Sequence, residues 1–360
     1  MIKDISELKN LLQAQNQLVV MDNQFVQKHC NTLSQMEATT LAWLISKIKP
    51  NDKPSHCYTI DCDELLAVRG WTNMRYKSVK DALAGLSKAI WWMAGSTTRN
   101  HGYIIYEEVS YDSRLIRVWF LASTHWYLFE LNKMYSTKKQ PMRVKAFTTS
   151  YPLAYHSVMS WRYSIRIYEL LKSYLNKKGW IFEYNTGSNM DILHLLAQWR
   201  TEDGENFSLP SSWKNWGTFQ RDVLIPAQAD FAKYTDITFT YQGLTHDMAR
   251  HATRSVRCIR FEITSKSEEE KEAAKHAINT KYREYINAWS AKHLSNKSGY
   301  YPMEVDTDIF SYKGSTAKPS ADVEEQDDLD STKGVYGASS RYCNSDYAII
   351  DDYDEGDLPF

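Results

Sequence analysis

Cysteine is scarce in this sequence, with five in 360 residues. Cys30, Cys57, Cys62, Cys258 and Cys343 are odd in number, and none are spaced as zinc or redox pairs favour, so they are expected to be free thiols. His56, Cys57 and Cys62 lie close together, but a fourth ligand at suitable spacing is missing and no metal is expected. No stretch approaches the roughly 18 consecutive apolar residues of a membrane span. The start, Met1-Ile2-Lys3-Asp4-Ile5, lacks the apolar core of a secretory signal, so a cytoplasmic protein without membrane contact is expected. A Gly-Lys-Ser/Thr phosphate loop is absent, which weighs against an ATPase or helicase. No histidine forms the His-x-His pair of enzymes that nick DNA through a tyrosine. Neither a nucleophile triad nor a two-metal carboxylate pattern stands out, so no catalytic residue and no cofactor are assigned.

Aromatic residues are abundant: 12 Trp, 24 Tyr and 12 Phe can fill more than one core. Trp91, Trp92 and Trp213 sit within apolar periodicity and are read as packing residues rather than base-stacking platforms. The formal charge of -1 hides an asymmetry. Residues 295–360 hold 5 Lys/Arg against 15 Asp/Glu, a net of -10, which leaves +9 on the first 294 residues. A basic body with an acidic tail points to a polyanion as partner.

One order of elements occurs twice. Ser34-Gln35-Met36-Glu37 is a capping box opening a helix through Leu41, Leu44, Ile45 and Ile48. An extended piece, Cys57 to Ile60, leads to a short helix from Asp61 that Gly70 ends. Asn73 can cap a longer helix whose buried stripe is Tyr76, Val79, Leu83, Leu86 and Ile90. Residues 103–111 and 114–121 then read as a hairpin turning at Asp112-Ser113. After the basic stretch 138–145, Tyr163, Ile167, Leu170, Leu171 and Tyr174 mark a helix and Trp180 to Tyr184 a strand. Residues 188–191 cap a brief helix, and Ser211 or Ser212 starts one carrying Trp216, Phe219, Val223 and Leu224. A second hairpin, 236–241 and 255–263, closes the unit.

Helix, strand, helix, turn, helix, hairpin is the winged-helix form of helix-turn-helix, whose third helix can enter the major groove. The expected fold class is α+β, mainly α. Two tandem winged-helix domains, 16–135 and 151–264, flank a linker, 136–150. A charged helix, 265–294, and a disordered acidic tail, 295–360, follow. The tail reads either as a solubilising segment or as a competitor of DNA or docking site for a host protein.

DNA-contacting candidates lie opposite the buried stripes. In the first domain these are Arg75, Lys77 and Ser78, with Lys80 on the flank; the same pattern also describes an ordinary solvated face. In the second they are Asn215, Thr218 and Arg221, with Lys214 and Gln220 at the margins, a mixture suited to base edges. Arg250, His251 and Arg254 crowd the hairpin loop, where a wing meets phosphates or a minor groove. Arg257 and Arg260 can belong to that wing or decorate an exposed strand face.

The run Tyr163-Ser164-Ile165-Arg166-Ile167-Tyr168-Glu169-Leu170-Leu171-Lys172 resembles the Tyr-Ser-Ile-Arg-Leu-Tyr-Glu-Leu-Leu-Lys signature of the iteron-binding plasmid replication initiators. Residues 219–227, with an internal proline, resemble that family's recognition helix, and Tyr234-Thr235-Asp236-Ile237 the segment after it. Residues 16–19, Glu37 and the helix 76–86 are similar to its amino-terminal domain. Where the family has Glu-Ile-Asn this chain has Ala229-Asp230-Phe231, so the end of that helix is expected to pack differently. The resemblance covers about residues 16–264. It implies tandem winged helices on adjacent major grooves of repeated double-stranded origin sites; independently of it, the second domain is expected to supply most sequence readout and the first mostly phosphate contacts and a candidate dimer surface. It also implies monomers that open the origin, dimers that repress their own gene, and recruitment of the host initiator, replicative helicase and chaperones. A winged-helix repressor without initiator role, a rolling-circle nicking enzyme and a protein-binding scaffold remain as rival readings.

Overall fold

A computed structural model of the chain describes residues 17–31, 33–49, 52–53, 55–68, 76–88, 90–93, 102–103, 105–109, 115–129, 131, 134–135, 144–145, 147–159, 163–177, 179–188, 191–196, 210–245, 255–294 and 310. Strand β1 (Leu18–Asp22), helix α1 (Asn23–Lys28) and strand β2 (His29–Asn31) precede the first helix foreseen from sequence. That helix, α2 (Gln35–Ser46), starts as its capping box dictates. The Glu37 N–H donates to Ser34 Oγ and the Ser34 N–H to the Glu37 carboxylate, satisfying two otherwise orphaned donors. Strand β3 (Tyr58–Asp61) follows, and the Asp61 side chain accepts the Asp63 N–H at 2.8 Å to open α3 (Cys62–Val68). Helix α4 (Tyr76–Lys88) buries Val79, Leu83 and Leu86.

Ile90 does not continue the stripe of α4. It begins strand β4 (Ile90–Met93), which pairs with β2 and with β5 (Gly102–Tyr103). A run of one β-branched residue and two tryptophans fits a ladder, and a partner strand distant in sequence decides the matter against helical continuation. The hairpin β6 (Ile105–Val109) and β7 (Leu115–Phe120) pairs as expected, and α5 (Ala122–Leu128) follows. Strands β8 (Met134–Tyr135) and β9 (Val144–Lys145) form a separate small ladder.

The second half opens with β10 (Thr148–Pro152), α6 (Ala154–Val158) and α7 (Ser164–Ser173). Residues 148–150, expected at the end of a linker, are strand residues. β10 pairs antiparallel with β1 from Asp22↔Thr148 to Leu18↔Pro152, and Val19, Met21, Thr149 and Tyr151 all turn inward. Asn23 strengthens the junction by donating to the Ser173 carbonyl and accepting from the Thr149 hydroxyl. The two halves therefore share one continuous core.

Next come β11 (Gly179–Glu183), α8 (Ile192–Leu196), α9 (Trp216–Phe219), a π-turn over Gln220–Leu224, α10 (Ile225–Tyr234), β12 (Ile237–Leu244), β13 (Cys258–Ser265) and α11 (Glu268–Leu294). The halves repeat one sheet topology. In the order β3-β7-β6 and in β11-β13-β12, the short strand pairs with the returning arm of the hairpin. Gly179 is required at its pairing with Glu262, because a Cβ there would lie 2.8 Å from the Phe261 carbonyl oxygen.

Helix α11, marked by its sequence as charged, is amphipathic in place. Ala274, Ile278, Tyr282 and Ile286 are buried at four-residue spacing, and the Tyr285 hydroxyl donates to the Ser157 carbonyl of α6 at 3.3 Å. Of the tail, Phe310 is described, and it packs against the core. Among the described residues no helix is long and apolar enough to cross a membrane.

Candidate nucleic-acid interface

The segment 216–234 of the second half is one helical rod interrupted by a wider turn. Pro226 has no N–H, and its ring would meet the carbonyl of Asp222 in a regular α-helix. The chain responds with an i−5 bond, Ile225 N–H to the Gln220 carbonyl, which defines the π-turn. Trp216, Phe219, Val223, Leu224, Ala227, Phe231 and Tyr234 face the core. Phe231, part of the departure at 229–231, packs edge-on against Tyr168 at 5.6 Å and Phe239 at 4.9 Å. At the far end Lys266, itself buried, donates to the carbonyls of Phe231 at 2.7 Å and Ala232 at 2.8 Å, closing the last turn. Burial pushes the ammonium of Lys266 below its ordinary range.

Exposed on this rod are Gly217, Arg221, Ile225, Ala229, Ala232 and Lys233, with Lys214 and Asn215 exposed just before it and Thr218, Gln220 and Asp222 half-buried. Asn215 is the helix N-cap: its Oδ1 accepts the Thr218 N–H at 3.1 Å. A paired contact to adenine needs both amide atoms, so Asn215 can read a base that way only by releasing the cap. Gln220 leans back, donating to the Tyr241 hydroxyl of β12 at 3.4 Å. The Arg221 side chain is 72% exposed and forks onto Asp222, Nε to Oδ1 at 2.6 Å and Nη2 to Oδ2 at 3.1 Å. The guanidinium holds the Asp222 carboxyl below the usual carboxylate range. This pairing presents Arg221 in the planar, two-pronged geometry that guanine or a phosphate accepts, and either ligand must replace the carboxylate.

A tight turn frames the start of the rod. Asn185 adopts a left-handed conformation, φ 54°, and Gly187 follows at φ 80°. Asp191 fastens the turn by accepting the Thr186 N–H at 2.7 Å. Asn185 donates to the Lys214 carbonyl at 3.4 Å and accepts from Arg257 at 2.5 Å, so turn, rod and wing base are bonded together. Arg257 thus has a structural bond on an exposed residue, and Arg260 is half-buried. Arg250, His251 and Arg254 lie outside the described residues, as does Arg75. In the first half Lys77 is exposed on α4, and Ser78 and Lys80 are half-buried. Trp213 is a core residue: its ring meets Tyr163 edge-on at 4.7 Å, and its carbonyl accepts the Tyr184 hydroxyl at 2.6 Å.

Sequence reasoning missed the internal role of the charged residues in α7. Arg166 is buried, donating to the Leu195 carbonyl at 3.2 Å and pairing with Glu169 at 3.5 Å. Glu169 also accepts the Tyr151 hydroxyl. Lys172 pairs with Asp236, which accepts the Tyr168 hydroxyl at 2.7 Å. The runs 163–172 and 234–237, recognised separately in the sequence, are thus bonded to each other. The signal was available in the placement of Arg166 and Glu169 beside Ile165, Ile167, Leu170 and Leu171, which leaves a helix no wholly polar face.

Residues 18–172 match the family described as "Initiator Replication protein, WH1". Those residues are similar to the initiator replication proteins. The matched region runs from β1 to α7, so it includes the β1–β10 junction as well as the first winged helix. No curated protein sequence matches the chain. Among solved structures it resembles one titled "Crystal structure of Pi initiator protein in complex with iteron DNA", with a TM-score of 0.52 and 15% identity, over 71% of this chain and 99% of that one. At that identity the likeness establishes the fold, a tandem winged helix.

Proposed function

We propose that this chain initiates plasmid replication by binding repeated double-stranded sites, iterons, at the origin. The observation that carries the reading is the outward pair Arg221 and Ile225, with Lys214 just before them, on a rod whose other side is locked into the core, beside a wing base. A third helix of a winged helix offers this pair to a major groove. The WH1 match and the likeness to a protein crystallised on iteron DNA support it. The second domain supplies most base discrimination, through Arg221, and the first supplies phosphate contacts through Lys77. Arg250, His251 and Arg254 are assigned to the wing by sequence. The chain acts by binding, with no chemical step of its own on DNA. Self-association that represses its own gene, and recruitment of host initiator, helicase and chaperones, complete the proposed cycle.

A plasmid carrying only this gene and its flanking repeats tests the reading in a suitable host. Replication, with footprints one per repeat, is expected. Protected repeats without replication would leave a repressor, and nicked or covalently attached supercoiled origin DNA would identify an enzyme.

A further inference from the structure

Four large apolar side chains stand exposed among the described residues, Leu18, Leu115, Phe147 and Ile225, and one of them lies on the proposed DNA face. Ile225 is 54% exposed at the start of α10, four residues beyond Arg221, while its chain neighbour Leu224 and nearby Ala227 are fully buried. Its position is fixed twice over. The π-turn ends on its own N–H, and Pro226 directly behind it sets the next backbone angle. The β-branched side chain adds stiffness at χ1, so a shaped apolar knob is presented with little rotamer freedom to lose.

A duplex offers one apolar feature at a base edge in the major groove, the C5 methyl of thymine. Phosphates and the other major-groove edges offer charge or hydrogen bonds, which an isoleucine cannot answer. We propose that Ile225 is a specificity-determining residue that packs on a thymine methyl, next to the base or phosphate engaged by Arg221. This inference rests on the duplex-binding reading above. It gives the rod two dissimilar readers one turn apart, a forked cation and an apolar knob. Together they would select a thymine at a fixed step from the Arg221 contact.

The test uses the full chain and a duplex carrying one origin repeat, with each thymine replaced in turn by deoxyuridine, which keeps base pairing and removes only the methyl. Wild type is expected to lose about fourfold in affinity at one thymine, the worth of one buried methyl group. Ile225→Ala is expected to lose a similar factor on the thymine repeat and nothing further when that thymine becomes deoxyuridine. Ile225→Val should retain the methyl response, and unchanged thermal unfolding of both variants would exclude a folding cause. Uniform indifference of wild type to every deoxyuridine, or an unaltered response in Ile225→Ala, overturns the inference. So does a changed sedimentation profile with an unaltered response, which would assign Ile225 to contacts between copies. Failure of wild type to prefer the repeat over a scrambled duplex would instead sink the duplex-binding reading itself.

Discussion

Helices α7 and α9–α10 are the two most recognisable stretches of this chain, and they use charge in opposite ways. In α7 Arg166, Glu169 and Lys172 turn toward the body of the protein, where each has a named partner. On and just before α9–α10, Arg221 and Lys214 turn away from it. Buried charges must be paired and hydrogen-bonded because desolvation is expensive, whereas exposed charges cost the fold almost nothing and remain available to a ligand. A strongly marked sequence motif can therefore be scaffold, while the functional surface is chemically plainer.

The largest effect expected from this contrast is on folding. Arg166→Ala removes the guanidinium beside Glu169, whose side chain is 12% exposed, and should cost about 3 to 5 kcal/mol in urea unfolding. A loss below about 1 kcal/mol would refute the scaffold role of α7. Arg221→Ala should do the reverse. Its stability should stay within about 0.5 kcal/mol of wild type. Affinity for the cognate repeat should fall by about 1 to 3 kcal/mol with much less loss on random DNA. Equal losses on both duplexes would limit Arg221 to the backbone.

Asn215→Ala probes the boundary between the two uses. Loss of the N-cap should cost about 1 kcal/mol of stability, and Asn215→Ser, a neutral cap, should restore it. Restoration of stability but not of repeat affinity would show that Asn215 also reads a base. Lys77→Ala should weaken binding on all sequences alike and reduce the slope of log affinity against log salt by about one. The smallest effect concerns Glu169. Burial raises its carboxyl above the ordinary 4.5. An acid whose folded value is raised contributes stability that is fully present below its ordinary value and is lost as pH rises through the raised one. Taken upward from pH 4.5, wild type should lose stability relative to Glu169→Gln, which stays neutral and keeps an acceptor for Tyr151. A constant difference in urea midpoint across that range would count against it.

Much of the fold was legible in the chain. The Ser34–Glu37 capping box, the stripe through Val79, Leu83 and Leu86, and the Ile237–Leu244 hairpin arm are local patterns whose periods or side-chain bonds act within a few residues. The candidate face around Lys214 and Arg221 followed from the stripe behind it. Ile225 escaped notice because an apolar residue beside the buried Leu224 reads as core, whereas it is 54% exposed.

The amino-acid order by itself set the repeated core of helix, short strand, helix, helix and hairpin in both halves, since helix caps, alternation and turn residues are settled between near neighbours. Tertiary structure alone decided that β1 would join β10, that Ile90 would enter a ladder, that α11 would bury one side, and that the charges of α7 would face inward. These outcomes depend on partners far away in the chain. A side chain is desolvated by whatever packs over it, and no local pattern specifies that neighbour.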